Sequence, residues 1–297
     1  MTAMSQAAPP VWTIQALIKW ATDDFRARGI ESPRLDAEVL LAFALRTDRM
    51  QLVLDATRPL MPDELARFRD LVKRRRAHEP VAYLRGEREF YGRVFRVDAR
   101  VLVPRPDTET LIDVSLARTE RCSLGMRALD LCTGSGCVAI TLARQRPTTR
   151  VHATDISAAA LVVARANAQR LGAYNVSFSE GDLFAGLDAY RGKLDLVTAN
   201  PPYIPTAEVA TLPPDIKDFE PRLALDGGAD GLSLVRRIVE EAPSYLATGG
   251  VLALEIGAGE APDVVRLLEA RGFTSVTATR DLGRIERVVD GRWPGTG

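Results

Sequence analysis

The sequence predicts an α/β protein in which a small helical bundle precedes a mostly parallel β-sheet covered by helices. Three observations predict this class. Apolar residues recur at helical spacing before Val81, without a strand pattern. An apolar period of two follows between Arg85 and Val103. Beyond it, short continuous apolar runs alternate with amphipathic segments, as expected for parallel strands buried on both faces.

The N-terminal segment is predicted to form the helical bundle, over residues 1–83. Residues 1–10 are small and polar, and they predict a disordered start. Ser32 followed by Pro33 is a typical helix start, and Pro62 opens another helix. That helix runs into the basic residues 73–76, a pattern typical of a solvated helix C-terminus.

The period-two segment predicts a β-hairpin linker over residues 84–103. Phe90, Val94 and Phe95 belong to its apolar pattern, and Gly86 and Gly92 interrupt it. A third region, 104–297, carries the strand–helix alternation. Its predicted strands are 128–131, 151–154, 176–179, 194–199, 251–255, 275–279 and 285–289. Its predicted helices include 138–146, 158–171, 232–247 and 261–271. The last two strands are close in sequence, which favours an antiparallel pair at one edge.

A glycine-rich turn follows the first of these strands. Gly134, Gly136 and Ala139 form a G-x-G-x-x-A pattern at the start of a helix, where the backbone can approach a ligand closely. Dinucleotide enzymes and S-adenosylmethionine enzymes share this pattern, and an ordinary strand–helix turn can also contain two glycines. Asp155 ends the second strand, where an acid commonly binds ribose hydroxyls, although it could also cap the next helix. Asp182 ends the third strand and could accept the exocyclic amine of adenine, with Leu183 against the ring.

The loop Asn200-Pro201-Pro202-Tyr203 follows the fourth strand. Neither proline can donate to a sheet, so the strand ends there and Asn200 is held at its tip. The Asn200 carboxamide, a free backbone carbonyl and the Tyr203 ring suit a planar amide or amine. A strand-ending turn is the simpler interpretation of the loop alone. All these loops fall at carboxyl ends of parallel strands, where open α/β sheets bind ligands. A dinucleotide enzyme would not need the Asn200 loop, whereas an enzyme that methylates nitrogen would, so the combination favours methyl transfer to nitrogen.

Composition limits the possible functions. Lys plus Arg and Asp plus Glu number 39 each, so the formal net charge is zero, which counts against nucleic acid as the direct substrate. Three cysteines and two histidines (Cys122, Cys132, Cys137, His78 and His152) offer neither a disulfide framework nor a zinc site. No apolar run approaches the roughly 18 residues of a membrane span, and no signal peptide is evident. We therefore expect a cytoplasmic protein.

The chain resembles the peptide-chain release factor glutamine methyltransferases, the protein-(glutamine-N5) methyltransferases. Segments that carry the resemblance are 33–38, 89–92, 104–109, 200–203, 219–221 and 281–282 with Arg287. It implies a Rossmann-like methyltransferase domain with a mostly parallel seven-stranded sheet whose last strand is antiparallel. It also implies the cofactor S-adenosyl-L-methionine with the product S-adenosyl-L-homocysteine, no metal, and release factors as the protein substrate. Cys132 departs from the family, in which glycine is usual.

The resemblance also implies roles for particular residues. The helical bundle and hairpin would recognise the partner, and Asn200, Pro201 and Tyr203 would be catalytic, with Pro202 completing the substrate loop. Arg105, Thr108 and Glu109 would close over the cofactor or order the domain junction, and a capping box with a hinge salt bridge explains them equally well. The expected cofactor-binding residues are Asp130, Cys132, Thr133, Gly134, Ser135, Gly136, Asp155, Ile156, Asp182, Leu183 and Asn200.

Three alternatives stay open from the sequence. The same loop could hold a flipped adenine of DNA or RNA, as in adenine-N6 methyltransferases. The substrate could be a glutamine of a ribosomal protein. The fold could also be kept as a binding module without turnover, against which the intact Asp130, Gly134 and Asn200 argue. A monomer is the default expectation, because no segment predicts a coiled coil.

Overall fold

The computed structural model describes residues 12–120, 122 and 125–295, so the predicted disordered start, 1–10, lies outside it. The chain divides into two compact units, Met1–Arg85 and Gly86–Gly297. The hairpin that the sequence predicts as a linker belongs to the second unit.

The regular elements in the described part of the first unit are helices joined by turns and loops. Its helices are α1 (Ile14–Ala27), α2 (Pro33–Leu45), α3 (Arg49–Leu54), α4 (Pro62–Arg76) and α5 (Val81–Arg85). Phe25, Leu40 and Phe68 are fully buried at its centre. A buried ion pair joins two of the helices, with the Arg75 guanidinium 2.8 Å from the Asp36 carboxylate. Packing of the buried apolar side chains therefore provides most of the stability of this bundle.

The second unit begins with the hairpin. Strands β1 (Glu87–Phe90) and β2 (Arg93–Arg96) pair in antiparallel register across a turn in which Tyr91 and Gly92 both have positive φ. The Asn167 side chain holds β2, since its Oδ1 accepts from the Arg96 backbone N–H (2.8 Å) and its Nδ2 donates to the Arg96 carbonyl (3.0 Å). The hairpin is thus fixed to the body of this unit.

A seven-stranded sheet forms the body of the second unit. Its strands are β3 (Arg127–Leu131), β4 (Arg150–Asp155), β5 (Val176–Glu180), β6 (Leu194–Ala199), β7 (Leu246–Glu255), β8 (Thr274–Arg280) and β9 (Glu286–Arg292). Their order is β5-β4-β3-β6-β7-β9-β8, with β9 antiparallel to both of its neighbours. The order reverses at β3, so the carboxyl ends of β3 and β6 flank the crevice in which such sheets bind ligands.

Helices cover both faces of this sheet. They are α6 (Glu109–Arg118), α7 (Cys137–Gln145), α8 (Ala158–Arg170), α11 (Ser233–Glu241) and α12 (Ala261–Arg271). Two short helices, α9 (Thr206–Val209) and α10 (Pro214–Lys217), lie between β6 and α11 in the chain. The predicted helix 232–247 was wrong at its end. A short 3₁₀ turn, Ala242–Ser244, follows α11, because Pro243 lacks the N–H that would continue the α-helix. The chain then enters β7 at Leu246, earlier than predicted.

Candidate functional site

A cavity of about 230 Å³ lies at the carboxyl ends of β3 to β6. Most of the predicted site residues line it: Arg105, Thr108, Asp130, Cys132, Thr133, Gly134, Ser135, Asp155, Ile156, Asp182, Leu183, Asn200 and Pro202. Gly136, Pro201, Tyr203 and Glu109 do not. Glu109 instead accepts a hydrogen bond from the Tyr91 backbone N–H (2.8 Å) and so holds the hairpin turn.

Asp130 is the most buried acid of the cavity wall, with 1% of its surface exposed. Its carboxylate accepts hydrogen bonds from the hydroxyls of Thr133 (2.6 Å) and Thr198 (2.8 Å). Burial raises the pKa of Asp130 to about 7, and these two hydroxyls oppose the shift. The carboxylate is therefore held rigidly at the base of the glycine turn, at the cost of burying its charge.

The glycine turn is held by Asp155. The two Asp155 oxygens accept from the backbone N–H groups of Gly134 and Ser157, each at 2.8 Å. Burial raises the pKa of Asp155, and these two bonds oppose the increase. Gly136 needs its hydrogen side chain because its φ is +81° and a Cβ there would lie 2.8 Å from the Ile140 Cδ1 atom. Ser135 Oγ is buried beside the cavity and, within the described residues, has no hydrogen-bond partner.

Asp182 does not stand free at the cavity mouth. Its carboxylate lies 2.9 Å from the Arg237 guanidinium, and both side chains are 47% exposed. Arg237 also lines the cavity, and it was not predicted as a site residue, because it lies on α11 among other polar residues. Because the pair is half exposed, the Asp182 carboxylate can still accept a hydrogen bond from a further donor.

The Asn200 loop lies on the opposite wall. Asn200 Nδ2 donates to the Thr108 hydroxyl (3.3 Å), and Pro201 and Pro202 are buried. Glu255 ends the neighbouring strand β7, is 1% exposed and was not predicted as a site residue. Burial raises the pKa of Glu255 to about 7, while the nearby side chains of Thr108 and Asn200 and the charge of Arg287 oppose the shift. Burial also raises the pKa of Tyr203.

The stretch from Asp226 to Gly231 packs against this loop. Ile204 and Asp226 form a parallel β-bridge, and the Gly227 backbone N–H donates to the Ile204 carbonyl (2.8 Å). A Cβ on Gly227 would lie 2.7 Å from the Pro202 carbonyl oxygen and 2.8 Å from the Tyr203 Cα atom. Gly227 is thus required for the close approach that holds Tyr203 in place.

Gly227→Ala is expected to displace the Asn200 loop, since backbone rather than a flexible side chain meets the added methyl. We expect a loss of about 2 kcal/mol in the free energy of unfolding. Urea denaturation measures it, with Ala229→Ser, an exposed change in the same stretch, as the control. Equal stability of the two variants would contradict the close packing.

Two segments meet over the cavity. The Arg105 guanidinium lies 2.8 Å from Glu220 Oε1, which joins the segment before α6 to the loop before the 3₁₀ turn Arg222–Ala224. Burial raises the pKa of Glu220, and the Arg105 charge opposes this. Pro221 and Leu223 complete the apolar part of this wall. The ion pair therefore fixes one side of the cavity mouth.

The described part of the chain contains neither a cluster of metal ligands nor a membrane-spanning helix. No group of three or more histidine, cysteine or carboxylate side chains is placed there to hold a metal ion. Within the same residues, no helix has both the length and the apolar character needed to cross a membrane.

Comparison with known proteins places this geometry in a family. Residues 16–86 match the model described as "PrmC N-terminal domain", and residues 123–260 match "Methyltransferase domain". A release factor glutamine methyltransferase of Geobacter sulfurreducens is 42% identical over 284 residues, which cover 96% of this chain and 98% of that protein. The chain belongs to the release factor glutamine methyltransferase family. The family resemblance predicted from the sequence is therefore confirmed, as is the class of enzyme, an S-adenosylmethionine-dependent transferase.

Further relatives agree with this assignment. A protein of the same name from Moorella thermoacetica is 44% identical over 262 residues, covering 88% of this chain and 91% of that protein. A solved methyltransferase structure from Pyrococcus furiosus has a TM-score of 0.51 at 21% identity, covering 70% of this chain and 91% of that one. This last likeness concerns the fold alone. The predicted Rossmann-like methyltransferase fold is confirmed.

Proposed function

We propose that this enzyme transfers the methyl group of S-adenosylmethionine to the side-chain amide nitrogen of the glutamine in the Gly-Gly-Gln motif of peptide-chain release factors. The observation that carries the proposal is the similarity, 42% and 44% identity over 96% and 88% of this chain, to proteins named release factor glutamine methyltransferase. The placement of Asn200 on the cavity wall, at the end of β6, supports it. The relatives' names favour release factors over a ribosomal protein or a nucleic acid as substrate.

The chemistry requires positioning more than acid–base catalysis. An amide nitrogen is a poor nucleophile because its lone pair is delocalised, so nitrogen, methyl carbon and sulfur must be held in line. The Asn200 side-chain oxygen and the Pro201 carbonyl would accept the two N–H groups of the amide, which orients it and stabilises the charge that develops on nitrogen. Tyr203 would pack against the amide plane, and Pro202 would keep the loop rigid.

The cavity residues fit the cofactor chemically. S-adenosylmethionine, when bound, supplies an electrophilic methyl group on a sulfonium. Asp130 offers a buried carboxylate for its ammonium group. Ser135 Oγ, which has no hydrogen-bond partner among the described residues, offers a polar contact beside the open turn at Gly134. Asp155 would accept from ribose hydroxyls, and Asp182 from the adenine amine, with Ile156 and Leu183 against the rings. Cys132 and Thr133 would shape the methionine end, and no metal is needed.

The helical unit is our candidate for partner recognition. Met50, Val53 and Leu54 share one face of α3 and are 69%, 71% and 72% exposed. Such adjacent exposed apolar side chains are typical of protein-binding surfaces. We expect serine at all three positions to raise KM for a whole release factor about tenfold with little change in kcat. An unchanged KM would exclude this face.

A monomeric, cytoplasmic enzyme stays our prediction.

The first experiment measures transfer of labelled methyl from S-adenosylmethionine to a purified release factor. The unmodified factor should be labelled, whereas a factor in which the Gly-Gly-Gln glutamine is alanine should not. Label on that variant, or on an adenine-containing DNA duplex offered in parallel, would refute the proposed acceptor while leaving the fold and the cofactor class intact.

A further inference from the structure

The turn between β8 and β9, residues 281–285, carries part of the family resemblance and has no role in the proposed chemistry. Leu282 stands at its tip with a relative exposure of 105%, the highest among the large apolar residues of the described chain. Ile285, at the end of the same turn, is also exposed. Single exposed apolar side chains are common on protein surfaces, so exposure alone indicates nothing. The construction of the turn and its place in the sheet distinguish this one.

The turn is held in one conformation by its first residue. The Asp281 carboxylate is buried, its Oδ1 accepts from the Ile285 backbone N–H (3.0 Å), and its Oδ2 lies 3.2 Å from Arg287 Nε. The Asp281 backbone N–H also donates to the Ile285 carbonyl (2.9 Å). Arg284 adopts the left-handed conformation, with φ +65°, which is strained for a residue other than glycine. Because the turn is fixed at both ends, a partner that covers Leu282 orders little additional chain.

Strand register places the turn at the edge of the sheet that holds the candidate site. Ala199 of β6 pairs with Leu254 of β7, and the next residue, Glu255, pairs with Val288 of β9. Asn200 directly follows Ala199, so Val288 lies level with Asn200. The turn ends at residue 285, about 10 Å farther out at the usual rise of a strand. It therefore projects beyond the sheet edge at which Asn200 stands.

Side-chain contacts join the turn to the wall of the site. Arg287 is buried, and its guanidinium donates to the Ile256 carbonyl (3.2 Å) and lies 3.5 Å from the Asp107 carboxylate. Asp107 directly precedes Thr108, whose hydroxyl accepts from Asn200 Nδ2 (3.3 Å). A short series of contacts therefore runs from the turn to the Asn200 loop.

We propose that Leu282 is an apolar anchor for the release factor, which it contacts on the surface beside the acceptor glutamine. A protein that inserts one side chain into a pocket covers the surrounding rim, and a standard interface of about 800 Å² per partner is a disc of about 16 Å radius. Strand β9 lies two strand spacings from β6, about 10 Å, so the turn falls inside that disc. This inference rests on the proposed function, because an acceptor much smaller than a protein would not reach the turn.

The test measures binding separately from turnover. The full chain, with S-adenosylhomocysteine present, is titrated by calorimetry with a release factor whose Gly-Gly-Gln glutamine is replaced by alanine. Leu282→Ser should raise the Kd for this factor about tenfold, the effect of losing most of a buried leucine contact. Leu282→Met, which keeps an apolar side chain, should bind within about threefold of the unaltered chain.

Kinetics with the unmodified factor should agree with the binding data. Leu282→Ser should raise KM about tenfold, while kcat and the Kd for S-adenosylhomocysteine each stay within about twofold. The melting temperature should not change, because Leu282 contributes no buried surface to the fold. A fall in kcat with an unchanged Kd for the factor would overturn the anchoring role.

Tyr174→Ser is the matched control. Tyr174 is 87% exposed and precedes β5, at the opposite end of the sheet from the site. It should alter neither the Kd for the factor nor KM. An increase equal to that of Leu282→Ser would mean that loss of any exposed apolar side chain has this effect, and it would overturn the inference.

The remaining outcomes separate this inference from the proposed function. If the unaltered chain methylates the factor and Leu282→Ser binds it equally well, the anchor is refuted and the proposed function stands. If sedimentation shows a dimer that Leu282→Ser dissociates, the turn joins two copies of this chain instead, which also refutes the anchor. If the unaltered chain neither binds nor methylates the factor, the proposed function is wrong, and this contact is refuted with it.

Discussion

Replacing Asn200 with alanine is expected to lower kcat for release factor methylation about 100- to 1000-fold, the usual effect of removing one polar group that stabilises developing charge. The Asn200 carboxamide stands at the tip of β6 and lines the cavity, where it would orient the amide and offset its positive charge. Binding of S-adenosylhomocysteine should fall less than about tenfold, because other cofactor-binding residues come from the loops after β3, β4 and β5. Single-turnover kinetics and calorimetry measure the two quantities.

Asn175→Ala is the matched control for this prediction. Asn175 Nδ2 donates to the Thr149 carbonyl (2.8 Å) and the Ala143 carbonyl (3.1 Å), and the residue does not line the cavity. We expect it to lower the melting temperature while kcat stays within about twofold. If Asn200→Ala instead weakened cofactor binding as much as it lowered kcat, Asn200 would belong to the cofactor site rather than to the transfer step.

Much of the site could be predicted because its parts lie in short, local sequence patterns. The glycine turn at Gly134 and the proline loop at Asn200 each follow an apolar strand directly, and parallel strands bring their carboxyl ends to one edge. Local pattern and strand order together therefore place these loops at one cavity. The same reasoning predicted the antiparallel pairing of the last two strands, since a short loop cannot connect parallel neighbours.

The residues that were missed depend on contacts between distant parts of the chain. Glu255 ends a strand whose preceding residues 251–254 are all apolar, and nothing nearby in sequence indicates that strand register brings it beside Asn200. Gly227 resembles any loop glycine until the Pro202 carbonyl is found 2.7 Å from where its Cβ would be. Arg237 is one of several charged residues on an amphipathic helix. Such roles follow from strand register and helix packing, which a single sequence does not specify.

The largest stability effect that we predict concerns Asp130, whose pKa burial raises from 3.8 to about 7. Because the folded protein keeps this proton to a higher pH than the unfolded chain, the associated stability is present below the unfolded pKa and is lost as the pH rises through about 7. Asp130→Asn removes the buried charge. The unaltered protein should therefore lose stability relative to the variant as the pH rises. From the size of the pKa shift, the difference between their free energies of unfolding should change by about 2–3 kcal/mol in favour of the variant between roughly pH 5 and pH 8.

Asp130→Asn should at the same time weaken cofactor binding, because the carboxylate that would meet the cofactor ammonium is gone. We expect the Kd for S-adenosylmethionine to rise at least about tenfold, consistent with the loss of a charge-assisted hydrogen bond. Asp70→Asn, on the exposed face of α4, controls for the loss of one carboxylate and should show neither effect. A stability difference for Asp130→Asn that does not change with pH would mean that Asp130 is ionised throughout this range. The buried charge would then destabilise the folded protein less than its surroundings indicate. Cofactor binding would not be needed to offset that destabilisation.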